Sequence, residues 1–193
     1  MSSTEQQPLS EEERGALLGL ARAAIRSGLE QGRRLEVAPG TLPPRLARPG
    51  AAFVTLQRHG ALRGCIGSLE ARQSLARDVA ENAFNAAFRD PRFPPLQQEE
   101  FGSVRLSISV LKPAEPLAVT SEENLLRQLR PGQDGLILEL DDSHRATFLP
   151  AVWDSLPEPR RFVAELKRKA GLPADFWSPA LRFYRYGAET VKE

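Results

Sequence analysis

The most unusual string in the chain is Leu62-Arg63-Gly64-Cys65-Ile66-Gly67, which sets the single cysteine between two glycines and two residues after an arginine. On an extended strand the side chains alternate, so Arg63, Cys65 and Gly67 share one face while Leu62 and Ile66 turn to the other, the core. A guanidinium on the thiol's own face favours the thiolate, the nucleophilic form of cysteine. Gly64 and Gly67 lack a Cβ, so another backbone or a ligand can approach closely. These residues read as one wall of a small-molecule pocket, with Cys65 the candidate nucleophile and Arg63, Gly64 and Gly67 the candidate ligand contacts. They also have a plainer reading. Free cysteine is most often a small buried hydrophobe, and glycines in a strand often mark a bulge or a tight bend.

A second polar group follows. Asp78, Asn82, Asn85 and Arg89 are spaced 4, 3 and 4 residues apart, a polar stripe along one helix. Asparagine is a poor helix former, so Asn82 is a candidate for directed hydrogen bonds to a ligand or to a neighbouring loop. Asp90 and Arg92 just beyond it could touch the same ligand or pair with each other across a turn. His59 and His144 fall in turns, where most histidines are simply exposed. Arg145 and Thr147 share a face of a later hairpin and could mirror Arg63 and Cys65.

The elements that position these residues follow from periodicity. Ser10 with Glu13 forms a capping box, and Leu17, Leu20, Ala21, Ala24, Ile25 and Leu29 recur at helical spacing over about 11–30. Residues 38–50 are too rich in proline and glycine for regular structure. A hairpin follows over 53–66, turning at Arg58-His59-Gly60. Leu75, Val79, Ala83 and Ala86 give a helix over 73–89, stopped by the prolines of 90–95. Val104, Leu106, Ile108 and Val110 alternate with polar residues as a half-buried strand. Ser121 caps a short helix to about Leu129. A second hairpin spans 135–149, a helix with Pro159 in its first turn runs over 159–170 to Gly171, and a strand over 180–186 closes the series.

The order α, ββα, β, α, ββα, β repeats one unit, at 51–111 and 135–186, inside a single domain of 11–190 behind a polar tail, 1–10. Hairpins dominate, and no glycine-rich turn announces a parallel sheet, so the class is α+β.

Composition narrows the function. The 193 residues carry 26 Lys+Arg against 25 Asp+Glu, balanced along the chain at seven basic and six acidic residues in 1–50, six and six in 51–100, and thirteen and thirteen in 101–193. This opposes nucleic-acid binding, which needs a basic stripe. No apolar run is long enough for a membrane span. The polar start from Met1 to Gln7, with Glu5, argues against export, so a cytoplasmic protein is expected. One cysteine and two histidines exclude an internal disulfide and a Cys/His zinc cluster. The usual nucleotide and hydrolase motifs do not occur, no metal ligands stand out, and no particular cofactor is indicated.

LRGCIG at 62–67, AENAFNAAFRDPRFPPL at 80–96, ISVL at 108–111, GLIL at 135–138, TFLP at 147–150 and LKRKAGLP at 166–173 together resemble the AMMECR family, whose prokaryotic members are labelled AmmeMemoRadiSam system protein A. The matches fall in family order over about 13–187. The resemblance implies an internally duplicated α+β fold with an antiparallel, barrel-like sheet flanked by helices. It further implies association with a Memo-like protein and a radical S-adenosylmethionine protein. It transfers no catalytic residue; the motif positions it marks are Arg63, Gly64, Cys65, Gly67, Asp90 and Arg92. Where the family pattern has Gln-Val-Trp and then Glu after TFLP, this chain has Ala151-Val152-Trp153-Asp154, which weakens a ligand role for the first of those positions. Two functions are compatible with this. One is an enzyme or enzyme partner handling a small ligand beside the LRGCIG strand; the other is a non-catalytic module that docks on those partners.

Overall fold

The computed structural model describes residues 7–38, 40 and 42–193. Most of the expected N-terminal tail (1–6), and two residues of the proline-rich loop (39 and 41), therefore lie outside the described residues. The chain divides into two compact units, residues 1–111 with 189–193, and residues 112–188.

In the first unit, α1 (Glu11–Gln31) begins on the capping box read from the sequence: Ser10 accepts from the Glu13 N–H while the Glu13 carboxylate accepts from the Ser10 N–H. It ends at Gly32 in the left-handed conformation, φ 65°, as helix C-termini commonly do. The proline-rich loop is more ordered than its composition suggests, with a 3-10 turn at Pro44–Ala47 and a two-residue strand β1 (Pro49–Gly50) that pairs with β4 (Gln73–Ser74).

The first hairpin is β2 (Ala52–Arg58) and β3 (Ala61–Gly67). His59 and Gly60 at its tip both have positive φ, 52° and 79°, the left-handed two-residue turn that matches strand twist. α2 (Leu75–Phe88), a one-turn α3 (Gln98–Phe101), β5 (Val104–Leu111) and β10 (Ala188–Lys192) complete the unit. The sheet runs β10-β5-β2-β3, so β3 is an edge strand. Val54 and Leu56 of β2 and Val104, Leu106 and Ile108 of β5 turn inward to a core shared with α1 and α2.

The second unit holds β6 (Glu115–Leu117), α4 (Glu122–Gln128), β7 (Gly135–Glu139), β8 (Arg145–Phe148), a 3-10 turn at Pro150–Asp154, α5 (Pro159–Lys169) and β9 (Arg182–Tyr186). Its sheet order is β6-β9-β7-β8. Its core centres on Trp153, stacked on Phe162 with ring centroids 3.8 Å apart.

The α+β class with antiparallel pairing stands. The barrel-like sheet that the resemblance implied does not: the described strands form two open four-stranded sheets and one two-stranded sheet. The two larger sheets share one order, since β5-β2-β3 and β9-β7-β8 each place the first hairpin strand in the middle and return the chain to it after a helix.

Candidate functional site

The alternation expected for β3 is broken by a bulge. Leu56 faces Gly64 but Gln57 faces Leu62, so Arg63 is the extra residue with no partner across the strand. Beyond the bulge the phase of the strand slips. Leu62, expected in the core, is 43% exposed. Arg63 does not serve the thiol; its Nε and Nη2 form a two-pronged pair with Glu100, each at 2.9 Å, and Nη2 also donates to the Pro94 carbonyl. Those hydrogen bonds, above all Arg63's, hold the Glu100 carboxyl down at about 2.

The two glycines admit neighbours that belong to the protein. A Cβ on Gly64 would lie 2.1 Å from the Ala86 carbonyl oxygen, so α2 presses directly on the strand there. A Cβ on Gly67 would lie 2.2 Å from the Phe53 ring, which lies across the strand from it. Both gaps expected for a ligand are thus filled from within the unit.

The first half of the polar stripe of α2, Asp78 and Asn82, is also turned inward. The Asn82 amide donates to the Ala52 carbonyl, to Ser68 and to Asp78, while Asp78 accepts from the Ala52 N–H at 2.8 Å. The pair pins the start of β2 to the helix. Burial pushes the Asp78 carboxyl up, and the hydrogen bonds it accepts oppose that. Asn85, farther along the stripe, accepts from Arg34.

What the fold does bring to Cys65 are three groups from elsewhere in the unit. Thr55, directly opposite on β2, donates its hydroxyl to Sγ at 3.3 Å. Asp90, 4% exposed, accepts the Cys65 N–H at 2.9 Å. Arg92 donates to the Cys65 carbonyl at 3.1 Å and grips Asp90 through Nε and Nη2. The free edge of β3 is therefore capped at this residue by the 90–92 turn. Arg92's hydrogen bonds, followed by that from the Cys65 N–H, hold Asp90 well below the usual carboxylate range despite its burial. Asp90 raises Arg92 in turn. The arginine that contacts Cys65 is Arg92, 27 residues away and through the backbone carbonyl, whereas the sequence pattern alone pointed to Arg63.

Thr55 is the residue the sequence reading missed, and strand pairing is its only signal. Ser107 lies opposite Thr55 on its other side, so Ser107, Thr55 and Cys65 form one row across three strands. Next to that row, the Ser109 and Thr190 hydroxyls lie 3.2 Å apart. In the second unit Thr147 bonds the Leu136 carbonyl and the Tyr186 hydroxyl, and Arg145 pairs with Glu139. His59 sits in the hairpin tip, and His144 bonds Asp141 in another turn. No group of three or more His, Cys, Asp or Glu side chains among the described residues is placed to hold a metal ion, and no helix among them is long and apolar enough to cross a membrane.

Comparison with known proteins meets this geometry. The AMMECR1 family model matches residues 18–191. A protein of Methanothermobacter thermautotrophicus is 39% identical over 192 residues, spanning 96% of this chain and 97% of its own. Protein PF1979 of Pyrococcus furiosus is 38% identical over 188 residues, 92% of this chain and 86% of its own. The crystal structure of protein PH0010 from Pyrococcus horikoshii is similar with a TM-score of 0.87 and 36% identity, covering 95% of this chain and 93% of that one. The chain belongs to the AMMECR1 family.

Proposed function

We propose that this AMMECR1-family protein handles a small molecule at the Cys65 face of the first unit, with Sγ as the reacting atom. The observation that carries the reading is the Thr55 hydroxyl donating to Sγ at 3.3 Å. That hydrogen bond fixes the direction in which Sγ points. Cys65 is half-buried. Asp90 and Arg92 hold its backbone and so position the sulfur. Asn82 and Arg63 act as positioning residues on this reading, through β2 and through α3. A reduced thiol is the state expected in the cytoplasm, where the family's Memo-like and radical S-adenosylmethionine proteins would be the partners.

The test is alkylation of the folded full-length protein by iodoacetamide, with Cys65 as its only thiol. Cys65 reacts in the native state, and Thr55→Val and Arg92→Gln each slow it by about tenfold, the effect of losing one hydrogen bond or charge worth about 1.4 kcal/mol. Native Cys65 that stays unmodified until the protein unfolds would end the nucleophile reading.

A second reading has its own observation. Arg63, Gly64, Gly67, Asn82 and Asp90 all have tasks inside the unit, so the motif can serve to build a rigid surface for docking on those partners. On that reading Cys65→Ser leaves complex formation and pathway output intact, whereas the thiol reading requires the output to fail.

A further inference from the structure

The second unit carries a cleft of about 470 Å³, within the range of small-ligand sites. Lys112, Glu115, Arg130, Gln133, Arg185 and Gly187 are among its walls. Three of these are cations, and they are not equally satisfied. Arg130 is matched: it forks onto Asp134 at 2.7 and 3.0 Å, and Asp134, 1% exposed, also accepts the Arg130 N–H. Lys112 lays its stem against Gly187, where a Cβ would stand 3.2 Å from its Cδ. Its ammonium has no hydrogen bond or ion pair among the described residues.

Arg185 is the telling group. Its Nε is buried without a hydrogen-bond acceptor. The nearest carboxylate, Glu115 on the facing edge strand β6, stands 3.6 Å away, an ion pair beyond hydrogen-bonding distance. Glu115 is itself 70% exposed, so water solvates it and little holds it there. A buried donor left unmade is costly, and an arginine fork is best matched by a planar or tetrahedral oxyanion gripped at two points.

We infer that this cleft binds the dianionic phosphoryl group of a small molecule on Arg185 and Lys112, with Glu115 as the side chain that swings out to admit it. Charge selects the ligand. Asp134 cancels Arg130, and once Glu115 leaves, Arg185 and Lys112 present two positive charges to a group carrying two negative ones. Until then Glu115 occupies the place of the ligand with one charge and imperfect geometry. The site lies wholly in the second unit and does not depend on any role of Cys65.

Calorimetry on the full-length protein at fixed ionic strength tests this, with inorganic phosphate, pyrophosphate and succinate as probes. Phosphate or pyrophosphate binds saturably at one site. Arg185→Gln weakens that binding by about 10- to 100-fold, the range for hydrogen bonds to a charged group. Lys112→Gln, which keeps the stem against Gly187 and removes an ammonium with no internal partner, weakens it severalfold. Glu115→Gln tightens it. No saturable phosphate binding by either the parent or Glu115→Gln would overturn the assignment. So would parent-like affinity in Lys112→Gln, a loss of affinity in Glu115→Gln, or succinate binding as tightly as phosphate.

Discussion

Replacing Gly64 with alanine places a methyl carbon 2.1 Å from the Ala86 carbonyl oxygen and 3.1 Å from its carbon. That is roughly 1 Å or more inside van der Waals contact. The obstacle is backbone in the last turn of α2, and it cannot rotate away as a side chain can. Either the helix withdraws or the edge strand does. Withdrawal of α2 loosens Val79, Ala83, Ala86 and Ala87, all buried in the core. Overpacking of this kind costs about 1–3 kcal/mol, and a rigid obstacle puts Gly64→Ala at the upper end, about 3 kcal/mol. With a urea slope of about 2 kcal/mol/M, the midpoint followed by far-UV circular dichroism falls by about 1.5 M. Gly67→Ala meets the Phe53 ring, which is only half-buried and can turn, so its cost is about 1 kcal/mol. Phe53→Ala then relieves Gly67→Ala in a double-mutant cycle, while leaving Gly64→Ala as damaging as before. A Gly64→Ala midpoint within about 0.25 M of the parent, equivalent to about 0.5 kcal/mol, would refute the claim that the helix requires this glycine.

Acid exposes the carboxylates around β3. A carboxyl whose pKa is depressed by folding contributes stability that is complete above its unfolded value and is lost as the pH falls through its folded one. For Glu100, held at about 2 against an ordinary 4.5, about 2 kcal/mol is lost between pH 5 and pH 3, at about 1.4 kcal/mol per unit. Asp90 acts in the same direction, whereas Asp78, raised by burial, acts in the opposite one. Glu100→Gln therefore flattens the fall in urea midpoint over that window, and an acid limb as steep as the parent's would contradict the assignment. In the second unit, fully buried Lys167 pairs with Glu122, donates to the Ala174 carbonyl and lies 5.8 Å from the Trp177 ring centroid. Glu122→Gln leaves an uncompensated buried ammonium and costs about 3–5 kcal/mol. Lys167→Met costs less, because Glu122 is 23% exposed and can turn to water. Urea unfolding followed by tryptophan fluorescence gives both values, and equal losses in the two variants would sink the argument.

What the sequence disclosed was what is local. The capping box at Ser10 and Glu13, the alternation of β5, and Pro159 with Gly171 at the two ends of α5 each involve residues within a few positions of one another. The chain breaks at Pro91–Pro95 and Gly171 are equally local. The short strands β6 and β10 escaped because Glu115-Pro116-Leu117 and Ala188–Lys192 lack a strand pattern of their own; proline in β6 is tolerated because that strand is at an edge.

The site was half legible for the same reason. Cys65 and Asp90 could be singled out by type, but what each touches is set by register. A bulge is a property of two strands, so nothing in residues 62–67 announces that Arg63 is the unpaired one. Its partner Glu100 is 37 residues away, and Thr55 faces Cys65 only because the hairpin pairs them. Asn82 looked available to a ligand because it is polar on a helix. It is in fact 4% exposed and committed to Ala52 and Ser68, since a buried polar group must find partners inside the fold.

The shared strand order of the two units sharpens where chemistry resides. Cys65 and Thr147 each lie on the second hairpin strand of their unit and each face the middle strand, opposite Thr55 and Ile137. In the second unit the Thr147 hydroxyl is consumed by the Leu136 carbonyl and Tyr186, and the Tyr186 hydroxyl by the Phe148 carbonyl. Both hydroxyls close a loop within the sheet, and burial pushes the Tyr186 phenol up to about 12, far from any titration near neutrality. In the first unit the second hairpin strand holds a sulfur that accepts one hydrogen bond and stays half-buried, while its backbone is fixed by Asp90 and Arg92. A frame that clamps the backbone and leaves the side chain underused is what a reacting group requires, because position is then set without spending the atom that must react. The same frame with its polar atoms saturated can only hold the sheet together. On the proposed reading, that contrast is why the reacting group is sought in the first unit and not at Thr147.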